Sequence, residues 1–328
     1  MLEHVRPRAR VIVDNDFSGD LDDLWQLAHH VLSPSVEIPF VIGSHLAPND
    51  GFDSSDHQAA NAVTVATDLL ERVGRADIPV VQGAELALVS PTEPRDSAAA
   101  RAIIAEALRD DTDLPLYFAA GAGMTDLASA LLLEPSIAAR ITLVWIGGNE
   151  HPGIGTPPPG ASAVEYNLNI DVQGARTVFA TPDLAIWQVP RDAYRRVLMS
   201  FAEIDARVRP LGPLGEYLAS SLDAVASRVL EFGLNIGETY VLGDSPLVLL
   251  TALQSSFEAD PSSSDYVLVP RPQLGDDGQY RPPLEGAGTI RVYTHLDLRL
   301  LIDDLVAKLQ LHALAHPATS TEDRKADR

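Results

Sequence analysis

The sequence predicts an α/β protein with a doubly wound, mostly parallel central sheet flanked by helices. Short β-branched or apolar runs alternate with helix-period segments, and the runs end repeatedly at glycine or acidic turns. A hydrophobic content of 46% over 328 residues is enough for a large buried core. The first run, at 11–13, is Val-Ile-Val, and the spacing of Leu21, Leu24, Leu27 and Ala28 marks the inner face of the helix that follows. Residues 36–42 read as a second strand ending at Gly43, Ser44 and His45. The polar, turn-rich loop after it is a candidate lid. Residues 59–73 read as helix, 78–82 as a short strand closed by Gly83, and 98–108 as helix. Then come a strand at 116–120, a helix at 125–133 and a strand at 141–146 that ends at Gly147 and Gly148. Pro157, Pro158 and Pro159 stiffen the insert 149–163, a second candidate lid. A strand is expected at 184–189, largely helical chain to about 230, a short helix within 245–253 and a last helix over 296–314. Crossover helices between successive strands imply parallel pairing. No linker divides the chain, so 1–315 is expected to be one domain and the polar stretch 316–328 a disordered tail.

Charge narrows the function. Lys plus Arg number 24 against 46 Asp plus Glu, a net charge of −22, which argues against nucleic acid or an anionic membrane as partner. A nucleobase or nucleoside stays open, because neither requires phosphate contacts. The absence of cysteine excludes a disulfide, a thiolate nucleophile and a zinc-thiolate site. The opening residues lack the apolar run of a signal peptide, and no stretch approaches the ~18 apolar residues of a membrane span, so a cytoplasmic location is expected.

The densest signal is acidic. Asp14, Asp16, Asp20, Asp22 and Asp23 fall within ten residues on the turn between the first strand and helix. In an open parallel sheet that turn lies at the carboxyl edge, where ligands bind. Like charges this close repel, and burying an unpaired carboxylate is costly, so a hard cation held by oxygen ligands is the economical explanation. The plainer alternative is an N-capping acid with solvated charge at a helix start. Phe17, inside the acidic turn, is open to two readings, a pocket wall or a packing residue, whereas Trp25 and Trp145 read as core.

Later motifs follow in an order that resembles the inosine-uridine-preferring nucleoside hydrolases. Asp14-Asn15-Asp16 with Asp22-Asp23 resembles the family's Asp-x-Asp-Pro-Gly-x-Asp-Asp turn, lengthened by two residues and without its Pro-Gly. Asn61-Ala62, Pro79-Val80-Val81-Gln82-Gly83-Ala84, the run from Gly121 to Ala128 and Trp145-Ile146-Gly147-Gly148 match in turn. Glu165-Tyr166-Asn167 with Asp171, Val189-Pro190-Arg191-Asp192 and Gly243-Asp244-Ser245-Pro246-Leu247 complete the series. The resemblance implies a nucleoside hydrolase-like, Rossmann-like fold, a dimer or tetramer, a small nucleoside or riboside substrate, and Ca2+. It implies Asp16, Asp23 and Asp244 as carboxylate ligands with a backbone carbonyl at Ala120, and Asp16 as the base that activates water. Asp22, Glu165 and Asn167 would hold ribose hydroxyls, with Asn149, Ser44 and His45 as further substrate-binding candidates.

Gly243 stands where the family has a histidine associated with the departing base, and His45, His151 or Tyr240 are the candidate substitutes. Two other readings remain at this stage. One is a member that binds a sugar or nucleoside without cleaving it. The other is a haloacid-dehalogenase-like phosphatase, suggested by Asp14-x-Asp16 and Gly243-Asp244-Ser245, although the chain's lysines, Lys308 and Lys325, both follow the second motif. A nicotinamide-binding Rossmann domain is disfavoured, because no Gly-x-Gly-x-x-Gly follows the first strand.

Overall fold

A computed structural model describes residues 4–317 except 256, 258, 259 and 261; most of the expected tail, from 318 onward, lies outside the described residues. Strand β1 (Ala9–Asn15) sends Val11 and Val13 into one core layer and Ile12 into the other, the two-residue period of a strand buried on both faces. Helix α1 (Asp22–Val31) follows, then β2 (Val36–Glu37) and β3 (Val41–Gly43). The single strand expected over 36–42 is thus two, broken around Pro39, which has no N–H to give a ladder. Helix α2 (Gln58–Val73) and β4 (Val80–Gln82) finish that half.

The other half runs α3 (Ala98–Ala107), β5 (Leu116–Ala120), α4 (Thr125–Leu133), β6 (Ile141–Ile146), α5 (Tyr166–Ile170), α6 (Val172–Ala180), β7 (Ala185–Val189) and α7 (Arg191–Tyr194). Beyond it lie β8 (Leu198–Ser200), α8 (Phe201–Arg207), α9 (Gly212–Glu231), β9 (Thr239–Val241) and α10 (Pro246–Thr251). The chain ends with β10 (Asp265–Pro270), β11 (Gln273–Leu274), β12 (Tyr280–Arg281), β13 (Thr289–His295) and α11 (Leu298–Ala315). The region read as largely helical therefore contains β8, which pairs antiparallel with β9. Strands β10 to β13 had no counterpart in the sequence reading.

The main sheet runs β10-β13-β7-β6-β5-β1-β3-β4, with β2 also on β1; every pairing is parallel except β10 with β13. Leu24, Leu69, Leu218, Leu250 and Leu301 cover one face, and Ile103, Leu127 and Val178 the other. Trp25 and Trp145 are fully buried as expected, each donating its indole N–H to a carbonyl, of Leu218 and Ala122 respectively, at 3.1 Å. Phe17 is also fully buried and packs in the first layer, so it is a core residue rather than a pocket wall.

Strand order reverses at β1, which has β3 on one side and β5 on the other. Crossovers leave these strands in opposite directions, and a crevice opens beyond their carboxyl ends. Among the described residues no helix is long and apolar enough to cross a membrane.

Candidate active site

The chain places its acids at that reversal. Strand β1 ends at Asn15, and Asp16 opens a turn closed by the Gly19 N–H on the Asp16 carbonyl at 2.7 Å. Asp22 and Asp23 then occupy the first turn of α1, where the helix dipole favours carboxylates. Strand β9 returns the chain to the same place. The Leu242 N–H bonds the Val197 carbonyl at 2.8 Å and aims Gly243 and Asp244 at the crevice. The Asp244 N–H donates to Asp22 Oδ2 at 3.2 Å, and Asn15 Nδ2 donates to Asp244 Oδ2 at 2.9 Å.

Carboxylate oxygens of Asp22, Asp23 and Asp244 consequently lie within 4.8 Å of one another. Asp16 is outside that trio but close enough to repel Asp244 and Asp23. Gly121, after β5, makes room for the cluster: a Cβ there would sit 2.5 Å from the Asn15 amide and 2.6 Å from Asp244 Oδ2. Burial, then neighbouring carboxylates, push Asp16, Asp22 and Asp23 well above the usual carboxylate range. Burial raises Asp244 to about 6. One oxygen each of Asp16 and Asp23 is buried without a hydrogen-bond partner. Hard, buried, mutually repelling and under-satisfied oxygens are a donor set that suits a divalent cation such as calcium.

A cavity of about 500 Å³ opens over these acids, walled by Phe52, Tyr166 and Tyr194. A larger one, about 630 Å³, lies beside Leu184 and Arg271 at the amino end of β7, the wrong edge of the sheet for a ligand crevice.

Glu165 and Asn167 line the acidic cavity, but most of their bonding capacity goes into its walls. Glu165 caps α5 and accepts from the N–H groups of Gly148, Leu168 and Asn167 at 2.7, 3.0 and 3.1 Å, and from the Tyr194 hydroxyl at 2.7 Å. Asn167 Nδ2 donates to the Gly121 and Ile146 carbonyls at 2.8 and 2.9 Å, which leaves its amide oxygen free. Asn149 stands behind Glu165, accepting its N–H at 2.8 Å and donating to the Gly278 carbonyl at 3.0 Å.

Ser44 does not line the cavity, because its hydroxyl donates to Asp14 Oδ1. His45 faces a separate cavity and is held by the Leu46 carbonyl at 2.8 Å and Thr125 Oγ1 at 2.9 Å. Ala120 ends β5, paired with Asp14 and Trp145, directly before the Gly121 cradle. His151 stacks on Tyr280 at 4.3 Å and bonds Gln188 Oε1 at 2.9 Å, and Tyr240 donates to Asp20. None of the three residues considered as substitutes for the family histidine lines the cavity.

The sequence reading missed Tyr194 and Phe52, which carry no local signal, and Tyr166, which sat within a quoted motif. Tyr166 donates to Asp50 Oδ2 at 2.7 Å and ties the 45–56 loop to α5. Asn15 was visible only as the spacer between two acids, and Arg191 grips Glu150 through two bonds of 2.8 and 2.7 Å. Lys308, the described lysine, is buried between α1 and α11 on Ser33 and Asp304, remote from any phosphoryl group in the crevice.

Residues 11–279 match the family model described as inosine-uridine preferring nucleoside hydrolase. No curated protein sequence matches the chain. Among solved structures, a plant nucleoside hydrolase superposes with a TM-score of 0.70 at 19% identity, over 93% of this chain and 99% of its own. A purine-preferring ribonucleoside hydrolase from Gardnerella vaginalis gives a TM-score of 0.71 at 18% identity with the same coverage. The type III effector XopQ, solved with adenosine diphosphate ribose, gives 0.58 at 16% identity, over 94% of this chain and 93% of its own. These likenesses establish the fold, and the family match displaces the phosphatase reading. The chain belongs to the inosine-uridine preferring nucleoside hydrolase family.

Proposed function

We propose that the protein hydrolyses the N-glycosidic bond of a riboside, using water activated beside a bound calcium ion. The observation that carries this reading is the convergence of Asp16, Asp22, Asp23 and Asp244 under one cavity, with buried oxygens of Asp16 and Asp23 left without partners. Asp16, Asp23 and Asp244 would hold the cation together with a backbone carbonyl at Ala120, and Asp22, whose carboxylate lies within 4.8 Å of those of Asp23 and Asp244, would serve both cation and ribose. When bound, a calcium ion supplies positive charge that acidifies a neighbouring water and anchors sugar hydroxyls.

The chain's own residues do the rest. Asp16 takes the proton from the attacking water through its unpartnered oxygen. Asp22 and the free amide oxygen of Asn167 accept from ribose hydroxyls. Glu165, saturated by four donors, fixes the wall on which Asn167 and Tyr194 stand. The surrounding carboxylates favour the positive charge that develops on the sugar as the bond breaks.

A member that binds a riboside without cleaving it is the second reading, favoured by the bare Gly243. Release of free base from a nucleoside panel, with calcium or with chelator, decides between them. Calcium-dependent release that disappears in Asp16→Asn supports hydrolysis. Saturable binding with no release supports the second reading, and neither binding nor release removes both.

A further inference from the structure

Apart from its carboxyl groups, which would serve the cation or already accept hydrogen bonds, the cavity offers a leaving group almost nothing that can give it a proton. No histidine or lysine lies among the described residues that line it, and the chain has no cysteine. Its two tyrosines have already committed their hydroxyl protons to carboxylates, Tyr166 to Asp50 and Tyr194 to Glu165, each at 2.7 Å. Giving up either proton would leave a phenolate against an acid, and burial already pushes both phenols well above their ordinary range. Gly243 adds no donor either: it has no side chain, and a Cβ there would only touch Tyr194 Cδ2 at 3.4 Å and Asp22 Oδ2 at 3.5 Å.

Charge points the same way. Asp16, Asp20, Asp22, Asp23, Asp244 and Glu165 face the cavity against Arg191 and Arg195, and Arg191 is already paired with Glu150. Six carboxyl groups against two arginines make the lining strongly acidic. The aromatic residues Phe52, Tyr166 and Tyr194 stand above them. Acids combined with aromatic rings form a recognition surface for a planar organic cation.

We infer that the preferred substrate is a cationic N-riboside, in which a pyridinium-type ring is the leaving group. This rests on the hydrolase reading and narrows its substrate class. As the bond between the anomeric carbon and the ring nitrogen breaks, its electron pair passes to nitrogen and cancels the ring's positive charge. The ring departs as a neutral pyridine and needs no proton. Water oxygen bonds to the anomeric carbon, and the water proton goes to Asp16. A purine or pyrimidine nucleoside would instead expel an anionic base unless something protonated it.

Steady-state hydrolysis of four ribosides by the calcium-loaded protein tests the inference: those of nicotinamide and para-nitrophenol, with inosine and uridine. The nicotinamide riboside is expected to exceed inosine and uridine in kcat/KM by about tenfold or more, with the uncharged nitrophenyl riboside between them. Phe52→Leu should narrow the gap between the nicotinamide and nitrophenyl compounds. Inosine or uridine cleaved as well as the nicotinamide riboside overturns the inference and leaves the hydrolase reading intact. The nitrophenyl compound cleaved in preference to the nicotinamide one overturns the selection for charge. No turnover of any of the four removes the hydrolase reading itself.

Discussion

Calcium should stabilise this protein by an amount that its size makes measurable. Asp16, Asp22, Asp23 and Asp244 are buried, repel one another and lack the counter-charge that would hold them ionised. A ligand that binds only the folded state at 100 times its Kd adds about 2.7 kcal/mol. With an unfolding entropy of ~2.1 cal/mol/K per residue, 328 residues give ~0.7 kcal/mol/K, so the melting temperature should rise by about 4 °C. Differential scanning calorimetry near neutral pH, with calcium against a chelator, reads this directly.

Asp23→Asn makes the test sharper because it separates two effects of opposite sign. Removing one carboxylate from a repelling cluster should raise the melting temperature of the metal-free protein, while most of the calcium-induced rise disappears. A wild-type protein indifferent to calcium would refute the cation site. So would a variant that keeps the whole shift, since Asp23 contributes both a carboxylate in the trio and a buried oxygen without another partner.

Proton linkage supplies another check. Asp244 is raised to about 6, so the metal-free native state holds a proton that the unfolded chain releases near the ordinary value of 3.8. Its contribution is present at low pH and is lost as pH rises from about 4 through 6, by roughly 3 kcal/mol at most. Denaturant titrations of wild type and Asp244→Asn in chelator should diverge across that window, and parallel curves would reject the shift. Gly121→Ala should abolish the calcium-induced stabilisation, because the new methyl meets Asn15 and the Asp244 carboxylate at 2.5–2.6 Å; an unchanged calcium response measured by calorimetry would show that the cradle yields. Glu165→Gln places amide hydrogens against two of the four donors, whichever oxygen is replaced, and should cost about 1–3 kcal/mol by urea unfolding.

The acidic turn was legible because five like charges around a strand end have no use in packing. The same reasoning found β5, α4 and β6 with their observed bounds, since each pairs a clear apolar period with a glycine or acidic stop. It failed where the period weakens. Strand β10 is mostly exposed at the sheet edge, so its side chains are not sorted into an inward and an outward set. Strands β8 and β9 are three residues each, too short to display alternation, yet β9 is what delivers Asp244 to the crevice.

Polar residues at strand ends posed a different problem. Asp16, Ser44 and Asn149 all follow strands of the same sheet, and composition is silent on which way each side chain turns. The fold spends Ser44 on Asp14 and Asn149 on Glu165, and reserves Asp16 for the cavity. Supporting and reacting residues use the same chemistry at the same edge, so only the three-dimensional account of their hydrogen bonds separates them. Asp14 and Asp16 each keep a buried oxygen without a partner, and it is the place of Asp16 on the cavity that sets it apart. Gly243, too, is understood only through its neighbours. Tyr194 stands beside it with its proton already given to Glu165, so this part of the cavity favours a leaving group that needs no proton at all.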